Sequence, residues 1–495
     1  MRGATLATVL ALCSMVESQK IWDIWQTTWN KNKLFSSLAP NPPLDFVAPG
    51  AIGDADILVD ENTKYQTIVG FGGSLTDSSA QLMSNMKSVN PSNYWSLLNY
   101  LFNATEGANA AGLSYLRFPI GACDFSPKQY SYNDVSGDTG MKNVDANAAP
   151  SYTFSVLADI LAVNPAIKIH VVPWSPPGWM KDSWTMNGGS LRSEMIDVYP
   201  TYLFRALQSL RSKGIEVYAV SIQNEPQYSN PTYPTASFTP STEARIGIQL
   251  KSLMKSNGFP NVKLVGYDHN WDGAPGYATQ LMQAGGDAFD GVSFHCYGGS
   301  VSQQGDFSRQ YPNKEIYFTE CSGTYGSDWW QDIKWYLDNI FIGSVERNAK
   351  AALMWNLALD PQGNPKYPGT SSCGGPGCRG IVTIGWDGTW SVNQEFYAMS
   401  HVSKATIPRD IGGPSGQRMK VNVGGSLSWA LRVGAFVTGR LNSADWLRYS
   451  LVVLNWNDST GGWNPQPVKA TIEFRGMQAA YTFPVGVSTL WWYGE

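Results

Sequence analysis

The chain has 495 residues, a formal net charge of −4 at pH 7 and only 15% charged residues, so about three domains or fewer are expected. Its 20 Trp, 24 Tyr and 19 Phe exclude an intrinsically disordered chain, and fit either an aromatic-rich core or a surface that stacks on neutral sugar rings. The near balance of 35 basic and 39 acidic residues excludes the cationic field that binds nucleic acid or an anionic membrane.

The N-terminal residues predict a secretory signal peptide at 1–18. Arg2 supplies the positive charge, residues 4–15 form a short apolar run, and residues 16–18 offer a cleavage site before Gln19. A buried N-terminal helix is the alternative. We therefore expect a secreted, extracellular protein with Asn103 and Asn457 as N-glycosylation acceptors. We also expect it to be a monomer.

The cysteines predict one disulfide. Five of the six remain once the signal peptide is removed, and an odd number excludes complete internal pairing. Cys373 and Cys378 flank a Gly-Gly-Pro-Gly turn, and we predict a bond between them. We expect Cys123, Cys296 and Cys321 to be buried small side chains. With four histidines in the chain and no ligand spacing typical of zinc, we predict no metal and no cofactor.

Eight β-rich runs alternate with helical patterns. The runs cover 67–71, 113–118, 167–172, 217–222, 262–267, 291–294, 315–319 and 350–354. The clearest helical patterns cover 152–163, 202–213, 242–255 and 328–340. Eight such alternations predict an α/β fold, a (β/α)8 TIM barrel, in which catalytic groups lie at the carboxyl ends of the strands.

The pattern changes from about residue 394. Short alternating runs with turn residues lie at 419–423, 427–433, 449–454, 469–474 and 487–492. They predict an appended β-sandwich formed from both termini. The predicted organisation is therefore a signal peptide at 1–18, the first part of the sandwich at 19–60, the catalytic barrel at 61–393 and the rest of the sandwich at 394–495.

Two glutamates follow predicted barrel strands. Glu225 lies in an Asn-Glu-Pro triplet after the fourth strand, and Glu320 follows the seventh. Two carboxyl groups across a barrel mouth, one protonated and one ionised, are the minimum for glycoside hydrolysis. We predict Glu225 as a protonated acid/base, with an acidic pH optimum, and Glu320 as the nucleophile. The alternatives are a chance loop triplet and a glutamate that only caps a helix.

The other strand ends predict a sugar-binding mouth, since amides, carboxylates and aromatic rings suit hydroxyl groups and ring faces. Arg117 or His295 would also help to keep Glu320 ionised. Two structural alternatives stay open: a bracing ion pair between Arg117 and Asp124, and rim packing by the aromatic residues. The candidate substrate-binding residues are Arg117, Asp124, Trp174, Asn224, His269, Trp271, His295, Tyr297 and Trp355.

Six motifs follow one another along the predicted barrel. They lie at 70–77, 117–126, 174–191, 224–226, 318–321 and 355–359. In these motifs the chain resembles glycoside hydrolase family 30, which contains lysosomal glucosylceramidases and fungal endo-β-1,6-glucanases. The resemblance implies hydrolysis with retention of configuration, with Arg117, Asp124, Trp174 and Asn224 holding the sugar. Cys296 departs from it, because glucosylceramidases have an aromatic residue there.

The resemblance is strongest to the endo-β-1,6-glucanases, and it implies a secreted enzyme that cleaves a cell-wall β-glucan polysaccharide. Glucosylceramidase, β-1,6-galactanase and xylanase activities stay open as alternatives within the family. A catalytically silent carbohydrate-binding protein is the alternative from another class, and the presence of both glutamates argues against it. The sequence has no Gly-X-Ser-X-Gly elbow, which excludes a serine hydrolase built on that motif.

Overall fold

The structure is a computed structural model that describes residues 19–459 and 461–495. The predicted signal peptide lies outside the described residues. Within the described part of the chain, no helix combines the length and the apolar character that a bilayer-spanning segment needs.

A closed barrel of eight parallel strands confirms the predicted fold class. Each strand pairs with its neighbours in chain order, and the last strand pairs with the first. The first strand is rich in glycine because a Cβ at Gly72 would clash with the carbonyl oxygen of Tyr115 on the second strand. The strands are Gly70–Ser74, Tyr115–Pro119, Lys168–Val172, Val217–Ser221, Lys263–Asn270, Gly291–His295, Glu315–Glu320 and Ala349–Asn356.

Helices cover the outside of the barrel, and each of the four predicted helical patterns coincides with helical structure to within one residue. The last pattern includes a wide helical turn, Leu337–Phe341, after its regular part. The helices are Asp77–Val89, Pro91–Phe102, Ser151–Val163, Tyr199–Ser212, Pro240–Ser256, Thr279–Gly285, Val301–Gln310, Trp329–Tyr336, Gly343–Glu346 and Gln394–Thr406.

A second, sheet-rich layer forms from both ends of the described chain, as predicted. It is one continuous ten-stranded sheet rather than two separate sheets. Strand Ala55–Thr67 joins its halves, because it pairs with both Gln417–Gly424 and Val468–Phe474. Register shifts in the first pairing allow the sheet to bend around its own apolar core. The other strands are Lys20–Thr28, Ser36–Ser37, Leu44–Asp45, Leu431–Thr438, Leu447–Asn455, Met477–Phe483 and Gly486–Gly494.

Helix Gln394–Thr406 joins the two layers. It is buried along almost its whole length. Phe396 and Met399 belong to the same apolar cluster as Phe436 and Trp491 of the sheet. The sheet thus packs against the barrel through this helix, and strand Ala55–Thr67 runs past residue 60 to within three residues of the first barrel strand.

The two predicted glycosylation sites differ in exposure, and both stay predictions. Asn103 is partly exposed at the end of helix Pro91–Phe102. Asn457 is only 5% exposed, although it lies outside the strands of the sheet. A glycan on Asn457 would require this side chain to leave its buried position, so Asn103 is the more accessible acceptor of the two.

Candidate active site

The carboxyl ends of the barrel strands surround a cavity of about 370 Å³. Tyr228, Asn230 and Tyr233 also line it, and sequence reasoning missed them because they lie in the loop beyond the Asn-Glu-Pro triplet rather than at a strand end. Predicted site residues that line the cavity are Asp124, Trp174, Asn224, Glu225, Tyr297, Glu320 and Trp355.

Arg117 lies under the cavity and holds the predicted nucleophile. Its buried guanidinium donates one hydrogen bond to Glu320 Oε2 at 2.5 Å and another to Asn224 Oδ1 at 2.6 Å. It also pairs with Asp268 Oδ2 at 3.0 Å. The alternative of an Arg117–Asp124 ion pair is therefore wrong, because Asp124 instead accepts a hydrogen bond from Ser372 at 2.6 Å.

The predicted acid/base contacts two histidines. Glu225 Oε1 lies 3.0 Å from His295 Nδ1 and 3.6 Å from His269 Nδ1. The other ring nitrogen of His295, Nε2, lies 3.0 Å from Asp268 Oδ1. A continuous chain of polar contacts therefore links Glu225 to Glu320 through His295, Asp268 and Arg117.

Asp268 is the central residue of this series of polar contacts, and it was not among the predicted site residues. Its Oδ1 also accepts hydrogen bonds from Ser293 at 2.8 Å and Thr319 at 2.6 Å, so the carboxylate is fully buried and fully bonded. Its position directly after the predicted fifth strand could have identified it as a candidate site residue. Glu225 and Asp268 both have left-handed backbone, with φ 46° at each residue. This conformation is uncommon for residues other than glycine and is concentrated at functional sites.

The charges around these contacts favour a proton on His295 over a proton on Glu225. Burial alone would raise the pKa of Glu225, but the close contact with His269 and the hydrogen bond from His295 outweigh it and place the pKa far below its ordinary value. Burial alone would lower the pKa of His295, but the negative charges of Glu320, Asp268 and Glu225 raise it to about 9. These shifts favour a protonated imidazole beside a Glu225 carboxylate in the free protein, and the protonated acid/base role of Glu225 stays a prediction.

Two other carboxyl groups bind protons more tightly than usual. Burial raises the pKa of Glu320, and the charge of Glu225 adds to the rise, while His295 and Arg117 oppose it. Burial also raises the pKa of Asp124 to about 7, with the charge of Glu320 adding to the effect and the Ser372 hydrogen bond opposing it. Below about pH 7, Asp124 can therefore present a hydrogen-bond donor to the cavity.

Three aromatic side chains line the cavity near the glutamates. Trp174 and Trp355 stack at 4.9 Å between ring centroids, and Trp174 also faces the Arg117 guanidinium at 4.8 Å. Tyr297 donates a hydrogen bond from its hydroxyl to Glu320 Oε1 at 3.0 Å. Their placement fits the predicted sugar platforms and also fits rim packing, so their contact with sugar stays a prediction.

Trp271 lies away from the cavity, and its prediction as a substrate-binding residue is wrong. The side chain is 1% exposed, packs against Phe318 at 5.3 Å and donates its indole hydrogen to Gln304 Oε1 at 3.1 Å. The fifth strand continues to Asn270, and the chain then turns so that Trp271 enters the layer behind the barrel. His269, by contrast, lies beside Glu225.

Two disulfides border the site. The predicted Cys373–Cys378 bond is confirmed, and both cysteines line the cavity. Cys296 and Cys321 also form a disulfide, so the expectation of unpaired buried side chains is wrong for these two residues. They follow neighbouring barrel strands, which brings their Cα atoms to 5.3 Å. Cys123 is buried and free, as expected.

Replacing Cys296 and Cys321 together by serine is expected to lower the free energy of unfolding by about 3 kcal/mol, because the bond closes a 25-residue loop. It should also reduce activity, since Tyr297 and Glu320 are the neighbours of these cysteines in sequence. The matched control replaces Cys373 and Cys378, which close a loop of only 5 residues, and should cost about 2 kcal/mol. Chemical unfolding measures both; an equal or larger loss in the control would contradict the prediction.

One cluster among the described residues has the spacing of metal ligands. Single ligand atoms of Glu225, His269 and His295 lie within 4.8 Å of one another. Two nitrogens and a carboxylate oxygen suit zinc. In the present arrangement Glu225 and His295 instead share a hydrogen bond, and the sequence pattern predicts no metal.

The free energy of unfolding is expected to fall as the pH rises from 6.5 to about 9. Because the pKa of His295 is raised from 6.5 to about 9, its stabilising contribution is complete below pH 6.5 and is lost as the pH passes through 9. The loss should be on the order of 3 kcal/mol. Urea unfolding at pH 6.5 and 9.5 measures it, and His295→Gln should flatten the dependence; an unchanged slope in the variant would assign the effect to another group.

Comparison with known proteins decides the family. The sequence profile of the Glycosyl hydrolase family 30 TIM-barrel domain matches residues 68–405. This chain belongs to glycosyl hydrolase family 30. It is therefore a glycosidase, and the resemblance found in the six motifs is confirmed.

Relatives within family 30 carry two different activities in their names. An endo-1,6-β-D-glucanase from Neurospora crassa is 30% identical over 372 residues, covering 72% of this chain and 74% of the relative. A putative glucosylceramidase from Caenorhabditis elegans is 28% identical over 337 residues, covering 63% and 62%. The solved structure of an endo-β1,6-glucanase superimposes with a TM-score of 0.81 at 24% identity, covering 96% of this chain and 99% of that one.

Proposed function

We propose that this family 30 glycosidase hydrolyses β-1,6-glucan with retention of configuration, with Glu225 as acid/base and Glu320 as nucleophile. One observation carries the proposal: the two glutamates line one cavity and are linked by the Glu225–His295–Asp268–Arg117–Glu320 chain of contacts. Along these contacts the proton of His295 can reach Glu225, while the Arg117 guanidinium bonded to Glu320 favours the ionised form of that carboxyl group.

In the first step, the proton on His295 Nδ1 moves to Glu225 Oε1 along their 3.0 Å contact. Glu225 then donates it to the glycosidic oxygen, and the bond from that oxygen to the anomeric carbon breaks, with its electron pair leaving on the oxygen. The Glu320 carboxylate, oriented by Arg117 and Tyr297, forms a bond to the anomeric carbon from the other face. The product is a covalent glycosyl-enzyme ester.

In the second step, the Glu225 carboxylate removes a proton from water. The water oxygen attacks the anomeric carbon, and the bond to Glu320 breaks with its electron pair returning to the carboxylate. The proton on Glu225 can then return to His295, which restores the starting state. Two inversions at one carbon give net retention.

The β-1,6 linkage is supported by the Neurospora crassa relative, whose name states that activity. A glucosylceramidase activity has less support, because Cys296 is tied to Cys321 in a disulfide at the position where glucosylceramidases carry an aromatic residue. Two disulfides also support the proposal that the protein acts outside the cell, since such bonds persist in oxidising compartments.

A panel of purified substrates tests the proposal. We expect early release of short oligosaccharides from linear β-1,6-glucan, and little or no turnover of β-1,4-xylan, β-1,6-galactan or glucosylceramide. The Glu320→Gln variant, prepared in parallel, controls for contaminating hydrolases. Turnover of another substrate with silence on β-1,6-glucan would overturn the linkage while leaving the two glutamates as candidates.

A further inference from the structure

A second large concavity lies away from the active site, between the barrel helix Trp329–Tyr336 and the sheet layer. Its volume is about 600 Å³, and its described lining has no residue in common with the catalytic cavity. Three tryptophans line it: Trp335 from the helix, and Trp429 and Trp456 from the sheet layer. We call this concavity the tryptophan groove.

The groove combines solvent-exposed indole rings with indole rings that neighbouring residues hold in place. Trp429 is 54% exposed and Trp335 40% exposed. Trp456 donates its indole hydrogen to the Trp429 carbonyl oxygen at 2.7 Å, while Trp335 packs against Trp271 with 6.5 Å between ring centroids. Large aromatic rings that are already ordered can bind a flat apolar surface with little loss of conformational entropy.

The polar residues of the groove disfavour an anionic ligand. Each of its three carboxylates is paired with a cation: Asp458 with Lys334 at 2.7 Å, Asp338 with Arg432 at 2.8 Å, and Asp332 with Arg379 at 2.6 Å. Arg432 and Arg379 also pair with Glu346 and Glu395, so the charge around the groove is negative on balance and offers no free cation to a nucleotide or an acidic peptide. Asn339 and Gln331 add amide groups to the same lining.

Ring faces beside amides and paired carboxylates are the surface that a sugar chain needs, with C–H faces stacking on indoles and hydroxyls bonding to the polar groups. We infer that the tryptophan groove is a second binding site for neutral polysaccharide, separate from the site of hydrolysis. That the bound polysaccharide is the β-1,6-glucan substrate rests on the proposed function. The groove would hold the enzyme on an insoluble wall while the cavity cleaves nearby chains.

One other occupant could come from this chain itself. The sequon Asn457-Asp458-Ser459 borders the groove, since Asp458 and Ser459 line it. The burial of Asn457 argues against a glycan there. A glycan that did form would compete with external polysaccharide, so the test includes it.

The test measures retention of the inactive Glu320→Gln protein on insoluble neutral polysaccharides, β-1,6-glucan first, after production in a secreting fungal host. Adding Trp429→Ala should weaken retention about tenfold, the effect of losing roughly one aromatic contact. The matched control is Trp386→Ala, which removes an equally exposed tryptophan (55%) outside the groove and should change nothing. In the active protein, Trp429→Ala should leave kcat/KM on short soluble oligosaccharides unchanged.

Two results would overturn the inference directly: equal retention of the Trp429→Ala and parent proteins on every polysaccharide, or no retention of the parent protein on any polysaccharide. A third would be a glycan on Asn457 whose removal alone creates retention, because the glycan would then occupy the groove in place of external polysaccharide. Failure of the proposed function looks different. In that case the active enzyme leaves β-1,6-glucan uncleaved. Retention on another neutral polysaccharide that still depends on Trp429 would support the groove as a binding site.

Discussion

Glu320→Gln is expected to lower kcat on the natural substrate on the order of 10⁴-fold or more, because an amide cannot form the glycosyl-enzyme ester and nucleophile removal costs losses of this order. The fold should survive, since glutamine has the same shape and its one carbonyl oxygen can still accept the hydrogen bond from Arg117, while the Tyr297 hydroxyl can turn to accept one from the amide nitrogen. Initial rates on β-1,6-glucan measure the loss, and circular dichroism checks the fold.

Glu225→Gln provides the matched comparison, because it removes the proton donor and leaves the nucleophile. This variant should keep most of its first-step rate on an aryl glucoside whose leaving group needs no proton, whereas Glu320→Gln should be inactive on both kinds of substrate. If Glu225→Gln were inactive on the aryl glucoside while Glu320→Gln retained activity, the two roles would have to be exchanged.

Asp268→Asn is expected to reduce both stability and activity, although Asp268 does not line the cavity. The substitution leaves Arg117 and His295 without the buried carboxylate that they share, and breaking such a pair costs about 3–5 kcal/mol. It also lowers the pKa of His295, because the negative charge of Asp268 helps to raise it. The alkaline limb of the kcat/KM profile should therefore move to lower pH.

Glu395→Gln is the control for Asp268→Asn. It breaks the buried Arg379–Glu395 pair, which joins side chains at 2.6 Å outside the Glu225–Glu320 chain of contacts. We expect a comparable loss in the free energy of unfolding and no movement of the alkaline limb. A pH profile that stays fixed in Asp268→Asn would reduce Asp268 to a purely structural residue.

The barrel and its two glutamates could be predicted because their signals are local. Short β-rich runs mark the strands, and a parallel barrel places every strand's carboxyl end at one mouth, so Glu225 and Glu320 had to lie near each other. Helix Gln394–Thr406 was harder to recognise, since burial on nearly all sides removes the polar face that defines a helical pattern.

The roles of Asp268 and Trp271 could not be separated from sequence. Both follow the predicted fifth strand within four residues, and which of them points into the barrel depends on where the strand ends. The strand continues to Asn270, which places Asp268 inside the barrel and lets Trp271 turn outward. The Cys296–Cys321 bond was equally hidden, because an odd number of cysteines leaves the pairing open until the positions of strands six and seven are known.

The most direct test of this account follows the anomeric proton by NMR while the purified protein acts on linear β-1,6-glucan. We predict that the first reducing ends released carry the β configuration and convert to the α/β mixture only later by mutarotation. First products in the α configuration would exclude a covalent intermediate on Glu320, and an unchanged glucan would exclude the proposed substrate.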